Sequence, residues 1–262
     1  MNNRIALFID LDGTLYDNHH QIIPESTIYG LNNLLPQVDL FLATGRSHFT
    51  LQAIEPILSI FAGFILLNGQ HVIYKNSIIY QNQIKPKLLK KLVVLSKQKN
   101  IPIGLVALDK AYIFPYVEDI RRFFSKRASD QIIDCTIENF DFDIPIAMVW
   151  VFDELEKINW LQLQLPELSF LKWGKYGCDV LSLNDSKKTG LEKIIEIGGY
   201  LHQNTYAIGN GDNDVEMFQT VKHSCAMLNS SEKALKSASF ITSDIKDDGL
   251  YKALKTFKLL NH

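Results

Sequence analysis

The chain has 262 residues, 47% of them hydrophobic and 21% charged, which excludes a wholly disordered polymer and allows one large core or two smaller ones without disulfide or metal staples. Its 27 Lys and Arg against 29 Asp and Glu leave a net charge of −2, so no net basic field draws it onto nucleic acid or an anionic membrane. Three widely spaced cysteines, Cys135, Cys178 and Cys225, form neither a zinc pattern nor a disulfide framework and predict a reducing, cytoplasmic setting.

The opening segment MNNRIALFIDLDGTL carries one Arg and a short apolar run broken by two Asp, unlike a secretory signal. The longest uncharged apolar runs, 61–67 and 146–152, fall far short of the ~20 residues that span a bilayer. A soluble, intracellular chain is expected.

Residues 4–9 (RIALFI) form a near-continuous apolar run, the pattern of a strand buried on both faces of a parallel sheet. The run stops at Asp10. A helix is predicted over 24–35 from Pro24, a strand over 38–43 ending at Thr44-Gly45-Arg46, a helix over 47–59 with Ser47 as N-cap, and a strand over 63–67 stopped by Asn68-Gly69. Strand, helix, strand, helix, strand argues for a doubly wound α/β sheet. The rhythm then changes. A hairpin over 71–80 turns near Lys75-Asn76, and a Lys-rich amphipathic helix covers 86–99. Strands follow over 101–107 and 111–114, a helix over 117–127, a strand over 144–152, a helix over 153–164, and strands over 168–172 and 178–183. The alternation resumes with a helix over 186–198, capped by Asp185 or Ser186 and closed by Gly198-Gly199. A strand over 204–208, a helix over 213–220, a strand over 223–227, a helix over 231–237, a strand over 239–242 and a helix over 247–257 complete the pattern.

Asp10-Leu11-Asp12-Gly13-Thr14-Leu15 follows the first buried strand. Ligands of open α/β sheets bind outside the carboxyl ends of strands, and Asp10 stands at such an end, with Asp12 two residues on. Two close carboxylates repel unless a cation or a shared proton intervenes, and oxygen ligands favour Mg2+. The plainer reading is a turn with an Asp cap. Gly209-Asn210-Gly211-Asp212-Asn213-Asp214 follows a second buried strand and offers two more carboxylates; by itself it also reads as a loop with a helix cap. Thr44-Gly45-Arg46 presents a hydroxyl, amides and a guanidinium that could hold a phosphate, or a turn with a surface Arg. Lys187 and Lys188 open a helix, where a cation opposes the helix dipole. An anionic partner would explain at least one of them, and a solvated Lys pair is the alternative.

Asp10–Leu15, Ala43–Arg46, Asn68-Gly69, Lys187–Leu191, Gly209–Phe218 and Asp247-Asp248-Gly249 occur in this order. Together they resemble the haloacid dehalogenase (HAD) superfamily of phosphatases, in its Cof-type group with a large α+β cap inserted after the third core strand. The similarity covers roughly 1–80 and 183–258; the cap matches in length and placement only. The resemblance implies Asp10 as nucleophile, forming an aspartyl phosphate, and Asp12 as general acid/base whose main-chain carbonyl also binds metal. It implies Thr44 as a phosphate contact, beside which Gly45 and Arg46 are taken as phosphate-binding from the residue pattern, and Lys187 as the cation neutralising phosphate and nucleophile; Lys187 is preferred to Lys188 because Lys187-Lys188-Thr189-Gly190-Leu191 matches the usual Lys-Gly-x-Ala-Leu. Asn213 would contact the phosphate or organise the acidic loop, and Mg2+ would be held by Asp10, Asp12, Asn210 and Asp214. Asn210 departs from the family, where Asp is usual. Asp212 compensates, or Asp214 binds more directly than usual, and weaker Mg2+ affinity is expected either way.

His19 and His20 read as solvent-facing, and His71 and Tyr74 as part of the hairpin. Arg121, Arg122, Lys126 and Arg127 read as the wet face of a cap helix, Trp150, Trp160 and Trp173 as packing residues, and Asp247-Asp248-Gly249 as the cap of the last helix. The expected fold class is α/β: a Rossmann-like doubly wound parallel sheet core, residues 1–80 and 183–262, with an inserted α+β cap, residues 81–182, that selects substrate. The expected function is Mg2+-dependent hydrolysis of a small phosphorylated metabolite, a sugar phosphate or a cofactor or nucleotide phosphate, by a monomer or homodimer with no nucleic-acid or membrane partner. The alternatives are a phosphotransferase or mutase with the same Asp pair, and a non-catalytic phosphate-binding protein.

Overall fold

The chain, in a computed structural model, is described over residues 3–114 and 129–261. The helix expected over 117–127, with Arg121, Arg122, Lys126 and Arg127, lies outside the described residues. The strands in chain order are β1 (Ile5–Asp10), β2 (Val38–Ala43), β3 (Gly63–Leu66), β4 (His71–Tyr74), β5 (Ser77–Gln81), β6 (Ile103–Val106), β7 (Ala111–Phe114), β8 (Ile132–Asp134), β9 (Met148–Val151), β10 (Leu168–Lys172), β11 (Cys178–Ser182), β12 (Thr205–Gly209), β13 (His223–Ala226) and β14 (Phe240–Ile241). The described α-helices are α1 (Glu25–Asn32), α2 (Pro86–Gln98), α3 (Leu155–Gln164), α4 (Lys187–Gly198), α5 (Val215–Thr220), α6 (Glu232–Ser237) and α7 (Gly249–Thr256). They fall into two compact units, one of Met1–Thr44, Ala53–Tyr80 and Ser186–His262, the other of Gly45–Gln52 and Gln81–Asp185.

The first unit is built on one sheet of order β14-β13-β12-β1-β2-β3-β4-β5. β1 lies between β12 and β2, parallel to both, with Ile9 opposite Ile208 and Asp10 opposite Ala43. Covered on both faces, β1 keeps Ala6, Leu7, Phe8 and Ile9 fully buried, which is why it reads as an unbroken apolar run rather than an alternation. Phe8, Phe41, Ile65 and Val72 share one face with Leu191 and Ile194 of α4. Gly190 lets α4 approach closely, since a β-carbon there would press on Ile65 and Val72. β4 turns back antiparallel to β3, and Lys75 and Asn76, at φ 49° and 61°, form the two-residue turn leading to β5.

The second unit carries a sheet of order β10-β11-β9-β6-β7-β8. Val149 and Val151 alternate inward against Leu89 and Leu92 of α2 and Ile158 and Leu161 of α3. Trp150, on the other face, meets the ring of Phe49 at 6.5 Å, which ties residues 45–52 into this unit.

Three expectations change. Residues 47–59 form no α-helix but short 3-10 stretches, His48–Thr50 and Gln52–Ile60. Pro56 lies inside the second; it lacks an N–H and disfavours α geometry at the residue before it. Ser47 caps no α-helix, and its hydroxyl meets that of Thr50 at 3.2 Å. At the last helix, Asp248 stands before α7 at φ 61° with no side-chain cap bond, while Asp244 accepts from the Lys246 N–H at 3.2 Å. β8 is a short strand that the sequence pattern does not announce.

Below β1 and β2, Arg4 donates twice to Asp39, both bonds 2.6 Å, and the Tyr200 hydroxyl donates to Asp39 at 2.7 Å. Burial pushes the Asp39 carboxyl up, but the hydrogen bonds from Arg4 and Tyr200 outweigh it and hold its pKa below the usual carboxylate range. A depressed folded pKa adds stability above the unfolded value of ~3.9 and loses it as pH falls through the folded one. Asp39→Asn is therefore expected to be less stable than wild type at neutral pH, the gap closing as pH falls below about 4. Urea unfolding across pH reads the difference, and a gap that does not change with pH would refute the linkage.

Candidate active site

The chain leaves β1 toward β2 on one side and β12 toward β13 on the other. The carboxyl ends of β1 and β12 thus form the switch point where a doubly wound sheet opens a crevice. Asp10 ends β1 there and is 5% exposed. The next residues wind into a tight loop, in which the N–H groups of Thr14, Leu15 and Tyr16 all point to the Leu11 carbonyl at 3.3, 3.0 and 2.8 Å. Gly13 closes it at φ 83°, a region that costs other residues strain. A β-carbon at Gly13 would also run into the side-chain amide of Asn210, so the two loops touch where glycine leaves room.

Lys187 begins α4 and is fully buried. Its Nζ donates to Asp10 Oδ1 and to Asp214 Oδ1, each at 2.6 Å. This is the anionic partnership that a lysine at a helix N-terminus requires. Burial pushes the Asp10 carboxyl up, and the Asp214 charge adds to it; the Lys187 ammonium offsets only part, leaving Asp10 at about 7. Burial works against the Lys187 charge, yet Asp10 and Asp214 together raise its pKa. Lys188 points outward, 3.8 Å from Glu192.

Asp214 organises its own loop. Its Oδ2 accepts the N–H groups of Asn210 and Gly211, both at 2.8 Å. Asn213 Nδ2 donates to Asn68 Oδ1 at 2.9 Å, and the Asn68 N–H donates to the Thr44 carbonyl at 3.0 Å. Thr44 is buried at the end of β2. Asp212 turns away, pairing with Lys233 at 2.8 Å; hydrogen bonds from Lys233 and Ser231 hold its pKa low. Gly45 and Arg46 belong to the other unit, where Arg46 Nη1 donates to the Thr50 carbonyl at 3.1 Å. His19 and His20 are exposed around Asp17, which accepts their N–H groups at 2.8 and 3.1 Å and pairs with His20 Nδ1 at 2.7 Å.

The structure thus brings together Asp10, Lys187, Asp214, Asn210 and Gly13, and joins Asn213 through Asn68 to Thr44. Asn68 is the member absent from the candidate set. Its signal was the Asn-Gly stop after β3, where Leu67, Asn68 and Gly69 all take positive φ and the Gly69 backbone lies against the Ser186 carbonyl.

Among the described residues no three His, Cys, Asp or Glu side chains converge as a ready-made metal cage. The donors present are hard oxygens: the Asp10 carboxylate, the Asp12 turn and the Asn210 amide. Such a set fits Mg2+, which keeps several waters and takes one or two carboxylates plus a substrate phosphate.

A family model described as haloacid dehalogenase-like hydrolase matches residues 7–254. The chain is 31% identical over 258 residues to "Putative phosphatase YkrA" of Bacillus subtilis, spanning 97% of this chain and 98% of that one. It is 23% identical over 246 residues to phosphoglycolate phosphatase 1 of Saccharolobus solfataricus, spanning 93% and 91%. Among solved structures it is similar to the HAD subclass IIB sugar phosphatase BT4131, with a TM-score of 0.90 at 24% identity over 98% of this chain and 100% of that one. A hypothetical protein of Geobacillus kaustophilus HTA426 gives 0.84 at 26% identity, over 98% and 100%.

Proposed function

The chain belongs to the haloacid dehalogenase-like hydrolases, and from that premise we propose that it hydrolyses small phosphomonoesters, with Mg2+, through an aspartyl phosphate on Asp10. The observation that carries this reading is the buried Lys187 ammonium bonded to both Asp10 and Asp214 at the sheet's switch point. It aims the nucleophile and offsets part of the burial and Asp214 repulsion that raise its pKa, and phosphoryl transfer depends on positioning and charge neutralisation.

An Asp10 carboxylate oxygen attacks phosphorus in line as the ester P–O bond breaks. Asp12 gives its proton to the departing alkoxide. A water then attacks the aspartyl phosphate, giving its proton to Asp12, and orthophosphate leaves with Asp10 restored. Thr44, Gly45 and Arg46 contact the phosphate, while Asn213, held by Asn68, fixes the acidic loop. Asp10, Asp12 and Asn210 are proposed to hold the metal, while Asp214, which the resemblance adds to them, spends its carboxylate on Lys187 and two main-chain N–H groups. When bound, Mg2+ supplies charge neutralisation to the phosphoryl oxygens. Residues 81–182 are proposed as the cap that selects the ester. No helix among the described residues is long and apolar enough to cross a membrane; the three cysteines are free, which fits a proposed cytoplasmic setting.

The direct test is phosphate release from p-nitrophenyl phosphate and a panel of sugar, nucleotide and cofactor phosphates, in Mg2+ and in EDTA. Metal-dependent release is expected. Saturable binding of an ester without turnover, by folded protein in Mg2+, would overturn the hydrolytic reading.

A further inference from the structure

We propose that Asn210 makes cation binding conditional on phosphate: the protein holds Mg2+ weakly alone and tightly only once a phosphate oxyanion is seated, so metal and substrate enter as a pair. The inference rests on the phosphatase reading and deepens it. It follows from where the carboxylates of the acidic loop are already committed.

Asp214 is fully buried, with Oδ1 on Lys187 and Oδ2 on two main-chain N–H groups. Three donors occupy most of the four lone-pair directions of a carboxylate. Moving Asp214 onto a cation would strip the buried ammonium of one partner and two amides of their acceptor. Asp212 is spent on Lys233. Neither carboxylate is placed to make up for the neutral amide at position 210. That residue is fixed through its main chain, its N–H on Asp214 and its carbonyl accepting from the Ser231 N–H at 3.0 Å, while its side chain lies against Gly13.

With Asp214 and Asp212 committed, and Asp12 proposed to bind through its main-chain carbonyl, the anionic side chain left to a divalent ion is Asp10, which already shares its charge with Lys187; the amide and main-chain oxygens add none. Affinity for hard divalent ions follows the charge and rigidity of the ligand set, and Mg2+ gives up its waters reluctantly. A phosphate dianion supplies the missing negative charge. Coupling of this kind is reciprocal: phosphate tightens the metal by the same factor as the metal tightens phosphate.

The test is calorimetric titration of the metal-stripped protein with Mg2+, and with Mn2+ read by electron paramagnetic resonance, with and without saturating inorganic phosphate. A protein-free titration corrects for metal phosphate formed in solution. The metal Kd is expected to fall about ten- to a hundredfold with phosphate, and the phosphate Kd to fall by the same factor in saturating metal. Asn210→Asp is expected to bind metal alone more tightly by a similar factor and to respond less to phosphate. A wild-type metal Kd that phosphate leaves unchanged overturns the coupling and leaves the phosphatase reading standing. No metal binding in any arm, by protein with native circular dichroism, overturns the Mg2+ reading and the coupling with it. The wild-type titrations decide even if Asn210→Asp does not fold.

Discussion

Asp10→Asn is expected to fold and to lose essentially all phosphate release, with kcat down by about four orders of magnitude or more. The amide keeps the shape of the carboxylate but cannot attack phosphorus, and the neighbouring Asp214 carboxylate is already bound by Lys187 and two amides. Stability moves the opposite way. In EDTA, a carboxyl raised by burial to about 7 binds more protons folded than unfolded, so wild-type stability falls as pH rises from about 4 to about 7. Asp10→Asn removes that dependence. The variant is expected to gain on wild type across this interval, as read by urea unfolding. Turnover within tenfold of wild type, with contamination excluded, would show that Asp10 is not the nucleophile.

Lys187→Met is expected to lose both activity and stability. Methionine fills a similar volume, but it leaves Asp10 and Asp214 facing each other in a site where both are almost entirely buried. Breaking a buried ion pair in this way costs ~3–5 kcal/mol. The loss is expected to be largest near neutral pH and to shrink in acid, where the buried Asp10 carboxyl takes up a proton. Adding Asp214→Asn to Lys187→Met is expected to restore part of the stability and none of the activity, a non-additivity that marks a shared network. Urea unfolding of the two single variants and the double variant, beside phosphate release, checks this; a loss under about 1 kcal/mol for Lys187→Met would refute the buried bridge.

Much of the frame is written locally. β1 announces itself as an apolar run because both its faces are covered, and Asp10 stands out because a charge ends that run. The lysine at the first position of α4 was conspicuous because it opposes the helix dipole, and the structure answers with two carboxylates. Other features depend on partners far along the chain. Asn68 owes its place to a positive φ and to Asn213, 145 positions away. Spacing alone could not divide the work of Asp212 and Asp214, because the turn that carries them decides which one faces Lys187 and which faces Lys233. The helix expected over 47–59 fails on one residue, Pro56, whose cost the apolar pattern conceals.

The central strand has a consequence for the order in which the chain becomes a folded object. Ile9 pairs with Ile208, so a ribosome must add nearly two hundred residues before β1 gains its second neighbour, roughly 10–40 s at bacterial-to-eukaryotic elongation rates. Strands β6 to β11 meet all their sheet partners within one contiguous stretch. During synthesis the inserted unit can close while β1, β2 and β3 still present an unpaired hydrophobic edge, and this waiting edge is where chaperones are expected to engage the nascent chain.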